Sequence, residues 1–339
     1  MRILFITHRF HPDVGGIEVN SEILADAFHR AGHDVRLLTW TKATDSVDFP
    51  YPVIRNPGIS KLFWEHMKAD VVYENNPSLR LSWPAILVGK PTVVALNTWV
   101  ARTDGSMNWQ DKLKYLWLGR AKAVIAVSEA IRQRCCKRAV VIGNPYREKI
   151  FRKIEGIERS GWFVFVGRLV SDKGADQAIH ALHSLVQTSG GQEDYNLTIV
   201  GDGPEREVLE TLTASLGLQK NVSFRGTLRG DALVRCLNEH RFILVPSVWE
   251  EPFGNVALEG MACGCIPIVS DGGGLPDAIG AAGLSFRRNS LPDLVEAIRK
   301  VVSNSLLRED LLRKAEGHLK RHVTNEVGKR YLEVIESIN

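Results

Sequence analysis

The sequence predicts an α/β protein made of two consecutive doubly wound domains, each a parallel sheet with helices on both faces. Three observations predict it. The chain has 339 residues, 44% of them apolar, and one hydrophobic core seldom grows past about 250–300 residues. Short runs rich in Val and Ile alternate with stretches of helical periodicity. The alternation breaks once, between Gly143 and Gly161, where Gly-Asn-Pro leads into the charged stretch REKIFRKIEGIERSG, and then starts afresh.

RILFIT (2–7) opens the first series, followed by a helical stretch from Gly16 to Ala31 and by DVRLLT (34–39). That order demands a parallel pair joined by a right-handed crossover. DVVYE (70–74), TVVAL (92–96), AVIAV (123–127) and AVVIG (139–143) supply further strands, and their β-branched density predicts burial on both faces. The second series reads WFVFVG (162–167), NLTIVG (196–201), NVSFRG (221–226), RFILVP (241–246), CIPIVS (265–270) and GLSF (283–286), with helical segments between. From Leu291 the pattern is helical and rich in Leu, Lys, Arg and Glu.

Composition narrows the function classes. No apolar run approaches the roughly 20 residues that span a bilayer, and the apolar start of MRILFITHRFHP is too soon interrupted for a signal peptide, so a cytoplasmic protein is expected. Five cysteines without CxxC spacing read as reduced structural thiols. The net charge of +4 is unevenly spread: the first 155 residues hold 23 basic and 15 acidic side chains, the rest 20 and 24. Residues 112–138 alone carry eight basic groups against Glu129, which favours anionic partners. The stretch has no aromatic-rich sheet motif or docking helix of a nucleic-acid binder. A nicotinamide dehydrogenase is disfavoured because GxGxxG is absent, as is a GxxxxGK[ST] phosphate loop.

Three motifs can carry chemistry. PDVGGIE (12–18) lies where the first strand turns into the first helix, and Gly15 and Gly16 would let an anion or sugar hydroxyl approach the helix N-terminus. GRLVSDKG (167–174) follows the first strand of the second series, and its Arg168 and Lys173 can neutralise a diphosphate. EEPFGNVALEGMACG (250–264) places Glu251 in a loop before a helix expected to begin near Phe253, with Glu259 inside that helix among apolar neighbours. A carboxylate in such surroundings needs a partner.

GGIE, GRLVSDKG, NVSFRG, PSVWEEPFGNVALEGMACGCIPIVS and the following DGGG together resemble the retaining glycosyltransferases of family four, which have the two-domain GT-B fold. The resemblance runs through nearly the whole chain, is densest from Gly167 to Gly274, and includes the family's pair of glutamates as Glu251 and Glu259. It implies an acceptor-side Rossmann-like domain over 1–150, a nucleotide-sugar-binding one over 151–322 facing it across a cleft, and a helix over 323–339 crossing back to the first.

By the same resemblance Arg168 and Lys173 would hold the donor diphosphate and stabilise the leaving group, and Glu251 would bind donor-sugar hydroxyls. Gly15 and Gly16 would cover the diphosphate, with Glu18 at the start of the same helix. Phe253, Gly254, Asn255 and Val256 would bring backbone N–H groups to sugar and phosphate, and Glu259 would take the ribose hydroxyls. The base would lie near Gly201, Asp202, Arg225 and Gly226. No metal and no cofactor are implied, and the chain has no DxD. One position departs from the family: its usual His is Asn97 here, which can hydrogen-bond a sugar but cannot carry a proton. His8 and His11 lie close to the Gly15 loop and read first as exposed loop histidines, with partial compensation for the missing His as the alternative. A nucleotide-sugar-binding pseudoenzyme or a nucleotide-sugar epimerase of the same fold is the alternative reading.

The acceptor is expected among glycans, lipid-linked and small molecules, an anionic one included. In NWQDKLKYLWLGRAK (108–122), Trp109, Leu113, Leu116 and Trp117 fall at helical spacing among Lys112, Lys114, Arg120 and Lys122. They read as core with a solvated rim; the alternative is a peripheral contact with the inner face of the membrane.

Overall fold

The computed structural model describes residues 1–13, 15–42, 47–101, 106–190 and 193–338. The chain divides into two compact units, Met1–Pro145 with His322–Asn339, and Tyr146–Arg321.

The first unit runs β1 (Arg2–Thr7), α1 (Gly16–Arg30), β2 (Asp34–Thr39), β3 (Val53–Arg55), α2 (Ile59–Lys68), β4 (Val71–Asn75), α3 (Leu79–Ser82), α4 (Pro84–Leu87), β5 (Thr92–Leu96), α5 (Trp109–Arg120), β6 (Ala123–Ala126), α6 (Glu129–Cys135) and β7 (Val140–Val141). Its seven strands pair in the order β3-β2-β1-β4-β5-β6-β7, every neighbouring pair parallel. β3 is an addition to the sequence reading. Its three residues lie between Pro52 and Pro57, and an edge strand tolerates proline because one side needs no donor. At the other edge, the run read as 139–143 shrinks to two residues.

The second unit runs β8 (Gly161–Val166), a 3-10 turn (Ser171–Lys173), α7 (Ala175–Ser189), β9 (Leu197–Val200), α8 (Arg206–Ser215), β10 (Val222–Gly226), α9 (Gly230–Asn238), β11 (His240–Val245), α10 (Asn255–Ala262), β12 (Ile266–Ser270), α11 (Leu275–Ile279), β13 (Leu284–Phe286), α12 (Leu291–Ser303) and α13 (Ser305–Lys320). Its strands pair in the order β10-β9-β8-β11-β12-β13, again all parallel. Each sheet is thus of the doubly wound, Rossmann-like kind, and the two together make the GT-B class of fold.

The last helix, α14 (Thr324–Glu336), belongs to the first unit. Val327, Tyr331 and Ile335, spaced four apart on one face, are fully buried in the core that holds Phe5, Phe28 and Tyr73. The Tyr73 ring lies 4.7 Å from that of Phe5 and 6.1 Å from that of Tyr331. Each such burial stabilises by roughly 1.5–3 kcal/mol, so α14 is part of the first core rather than an appendage. Arg330 adds a hydrogen bond from its guanidinium to the Val141 carbonyl on β7. The second core gathers Phe163, Phe165 and Phe242 from the sheet with Leu182, Leu294 and Ile298 from the helices.

Candidate functional site

In the second sheet the connections leave β8 in opposite directions, β9 on one side and β11 on the other, so the switch point lies between β8 and β11. Open α/β sheets bind ligands beyond the strand ends at such a point. The loops that leave β8 and β11 are the second and third motifs, Gly167–Gly174 and Pro246–Gly254.

Backbone contacts lock these loops together. The Asp172 carbonyl accepts from the Val248 and Trp249 N–H groups at 2.9 and 3.1 Å. Gly174 has φ +71°, and a Cβ there would lie 2.0 Å from the Pro246 carbonyl oxygen, so only glycine lets the two loops approach so closely. The loop after β9 joins in the same way: Leu169 N–H donates to the Asp202 carbonyl at 2.9 Å, and a Cβ on Gly201 would meet the Gly167 oxygen at 1.8 Å. Arg288, after β13, closes the far side, its guanidinium donating to the Val248 carbonyl at 3.0 Å and to Glu250 Oε1 at 3.2 Å.

Two of the expected catalytic residues meet in this frame. Lys173 Nζ pairs with Glu251 Oε1, both side chains largely shielded from solvent. Ser247 Oγ lies 2.9 Å from the same carboxylate oxygen, and the Trp249 ring centroid is 5.4 Å from Nζ. Arg168 is exposed, and its side chain has no hydrogen bond or ion pair among the described residues. Asp202 and Arg225 are also exposed; Asp202 caps its own loop by accepting from Gly203 N–H at 2.8 Å, and the β10–β9 register shifts between Phe224 and Gly226, whose carbonyl accepts from Gly201 N–H at 2.8 Å.

α10 begins at Asn255, two residues later than expected, with Gly254 as its N-cap and Phe253 buried beneath it. A helix N-terminus presents N–H groups to an anion. Glu259, in this helix, is half-buried, and desolvation of its carboxyl pushes its pKa up to about 7 against the opposing pull of Arg147. Its carboxylate has no hydrogen bond or ion pair among the described residues. Glu251 and Glu259 are therefore unlike: one holds a cation, the other waits without a partner.

In the first unit the switch point lies between β1 and β4. Gly15 is the N-cap of α1, and Glu18 folds back toward it, with Oε2 2.4 Å from where a Gly15 Cβ would be. Gly16 is exposed; Val14 of the motif lies outside the described residues. Asn97 is only 7% exposed, and both ends of its carboxamide are engaged: Nδ2 donates to Asn75 Oδ1 at 2.5 Å, and Oδ1 accepts from Asn20 Nδ2 at 2.9 Å. Ser21, Thr7 and Asn144 extend this buried polar cluster. The sequence reading missed Asn20, Ser21, Asn75 and Asn144. The available signal was polar residues at inward positions of α1 and at the end of β4, where apolar ones are the rule. His8 is exposed, and partial burial with Arg9 and Arg80 nearby lowers its pKa.

The α5 reading is corrected. Trp117 is buried, its indole N–H donating at 2.8 Å to Glu74 Oε1, a carboxyl that burial pushes up to about 7. Trp109, Leu113 and Leu116 are not core but exposed, because the capped helix buries the face that carries Asp111, Trp117 and Leu118 and leaves theirs to solvent. The five cysteines are unpaired thiols, and among the described residues no group of three His, Cys, Asp or Glu side chains gathers to hold a metal ion. No described helix is long and apolar enough to cross a membrane.

Two family models match the chain: "Glycosyltransferase Family 4" over residues 14–146 and "Glycosyl transferases group 1" over 147–318. An uncharacterised glycosyltransferase of Methanocaldococcus jannaschii is 28% identical over 332 residues, covering 82% of this chain and 83% of that protein. The 2-deoxystreptamine glucosyltransferase of Streptomyces kanamyceticus is 29% identical over 63% of this chain and 55% of its own length. Among solved structures, Anabaena HepE in complex with UDP aligns with a TM-score of 0.84 at 18% identity, over 99% of this chain and 100% of that one. Sucrose-phosphate synthase of Thermosynechococcus elongatus aligns with a TM-score of 0.77 at 19% identity, over 99% and 98%.

Proposed function

The chain belongs to the group 1 glycosyl transferases, with a family 4 domain ahead of its group 1 domain, and from this premise we propose that it moves a sugar from a nucleoside diphosphate donor with retention and without a metal ion. The observation that carries the donor reading is Glu259, a half-buried, desolvated carboxylate with no hydrogen-bond partner among the described residues, in the helix that follows the Gly254 loop. Vicinal ribose hydroxyls supply two donors to one carboxylate, which meets its need.

The diphosphate would lie against the N-terminus of α10 and between the charges of Arg168 and Lys173, which stand in for a divalent ion. In the resting chain Lys173 is held by Glu251, so its ammonium is positioned before the donor arrives. The bond from the anomeric carbon to the β-phosphate oxygen breaks while the acceptor oxygen bonds to the same face. The acceptor proton passes to the departing phosphate oxygen, so no protein base is required. Within the first unit, the buried amide cluster around Asn97 holds its region's backbone without proton chemistry. The acceptor is a glycan, a lipid-linked or a small molecule.

UDP is the first nucleotide to try, since HepE is solved with it. Calorimetric titration with UDP, GDP, ADP and NAD in EDTA, repeated on Glu259→Ala and Arg168→Ala, tests the proposal. It expects one nucleoside diphosphate to bind without metal and both substitutions to weaken it. Binding of none, or of NAD alone, would overturn it.

A further inference from the structure

Three segments of the first unit leave large apolar side chains partly or mostly exposed to solvent. On α5, Trp109, Leu113 and Leu116 form one stripe at intervals of four and three, with Trp109 68% and Leu116 69% exposed. On α4, Ile86 and Leu87 stand out, Leu87 68% exposed, and α2 adds Ile59, Trp64 and Met67. The segments adjoin: α2 packs on α4, and a cavity of about 160 Å³ lined by Ile86, Lys90, Trp117 and Arg120 joins the ends of α4 and α5.

Charge selects the occupant. Residues 59–68, 83–90 and 107–122 carry Lys61, Lys68, Lys90, Lys112, Lys114, Arg120 and Lys122. Their carboxylates are Glu65 and Asp111 alone; both are buried, Glu65 against Arg36 and Lys61, Asp111 against Lys114. Apart from the neutral Ser60, Asn108 and Gln110, the three segments therefore show solvent cations and apolar tips, and no exposed carboxylate. Lys61 and Lys68 lie 4.7 and 3.6 Å from the Trp64 ring, stems along the aromatic body. A second copy of the chain would set these cations against themselves across a two-fold axis. An anionic lipid surface answers both features, headgroup phosphates meeting the cations and the acyl boundary taking Trp and Leu.

We propose that α2, α4 and α5 form a face that docks the protein on anionic membranes. The proposal stands apart from the donor reading, because none of these residues lies in the second unit.

The test is co-sedimentation of the full chain with phosphatidylcholine vesicles and with the same vesicles carrying about a third phosphatidylglycerol, at about 0.15 M salt. Binding is expected only to the anionic vesicles. Lys112→Glu with Arg120→Glu, and separately Leu113→Gln with Leu116→Gln, should each cut partitioning by at least about tenfold while circular dichroism and the melting temperature hold. Lack of binding to the anionic vesicles, equal binding to both kinds, or folded variants that bind like the parent would overturn the proposal. So would a dimer in gel filtration that Leu116→Gln dissociates, since the face would then be covered by a second copy.

Discussion

If ribose hydroxyls are what Glu259 lacks, nucleotide binding must release a proton. Burial holds the free carboxyl near a pKa of about 7, so at pH 6.5 about three quarters of the molecules are protonated there. Two hydroxyls donating to the group favour its charged form and pull the pKa back toward the ordinary carboxylate range near 4.3. Binding at pH 6.5 then expels about 0.75 proton per site, about 0.5 at pH 7 and about 0.1 at pH 8. The same linkage weakens binding at pH 6 by about tenfold relative to pH 8. The assay is UDP titration in two buffers of different ionisation enthalpy, on the parent and on Glu259→Gln. The variant is essential, because the terminal phosphate of the nucleotide itself titrates near pH 6. Only the difference between the two proteins reports Glu259. Equal proton release from both would refute the assignment of ribose to this carboxylate.

The remaining expectations concern neighbouring parts. Gly201→Ala puts a Cβ 1.8 Å from the Gly167 oxygen at φ +140°, so it should cost at least about 2 kcal/mol and lower the melting temperature by several degrees; an unshifted melt would show that the loops are free to part. Trp117→Phe removes the N–H that meets buried Glu74, and urea titration should find about 1–3 kcal/mol lost. Glu74 has its folded pKa raised to about 7, as has Glu259, so the folded state binds extra protons and stability should fall as pH climbs from about 4.5 to 7; Glu74→Gln should remove about half of that slope, and an unchanged slope in the variant would refute the role of Glu74. Lys173→Ala should lower kcat by more than it raises the dissociation constant of the donor, whereas equal losses would mean that its charge acts in binding alone.

The strands buried on both faces were legible almost to the residue, because β-branched runs such as TVVAL leave little else to form. What escaped was whatever lacked that signal. Val53–Arg55 sits between prolines and exists through its pairing with β2, which is a property of the neighbour rather than of the segment. The site was legible as motifs but not as partners. Nothing in the spacing of Lys173 and Glu251, 78 residues apart, says that they pair; the switch point between β8 and β11 does. Trp109 and Trp117 were indistinguishable by periodicity, and only Glu74, a buried acceptor on another element, singles out Trp117. Asn97 shows the same limit, its place among amides being set by Asn20 and Asn75.

The return of α14 to the first unit imposes an order on biosynthesis. The second unit is continuous from Tyr146 to Arg321 and can close as soon as that stretch clears the ribosome. The first unit, although synthesised earlier, must wait with the pocket for Val327, Tyr331 and Ile335 unfilled until the codons for those residues have been read. During that interval the half-built sheet displays the apolar surface that Tyr331 will cover, beside Phe5, Phe28 and Tyr73. A nascent chain stalled before residue 327 should therefore be a holdase client through its first domain while its second is already protease-resistant.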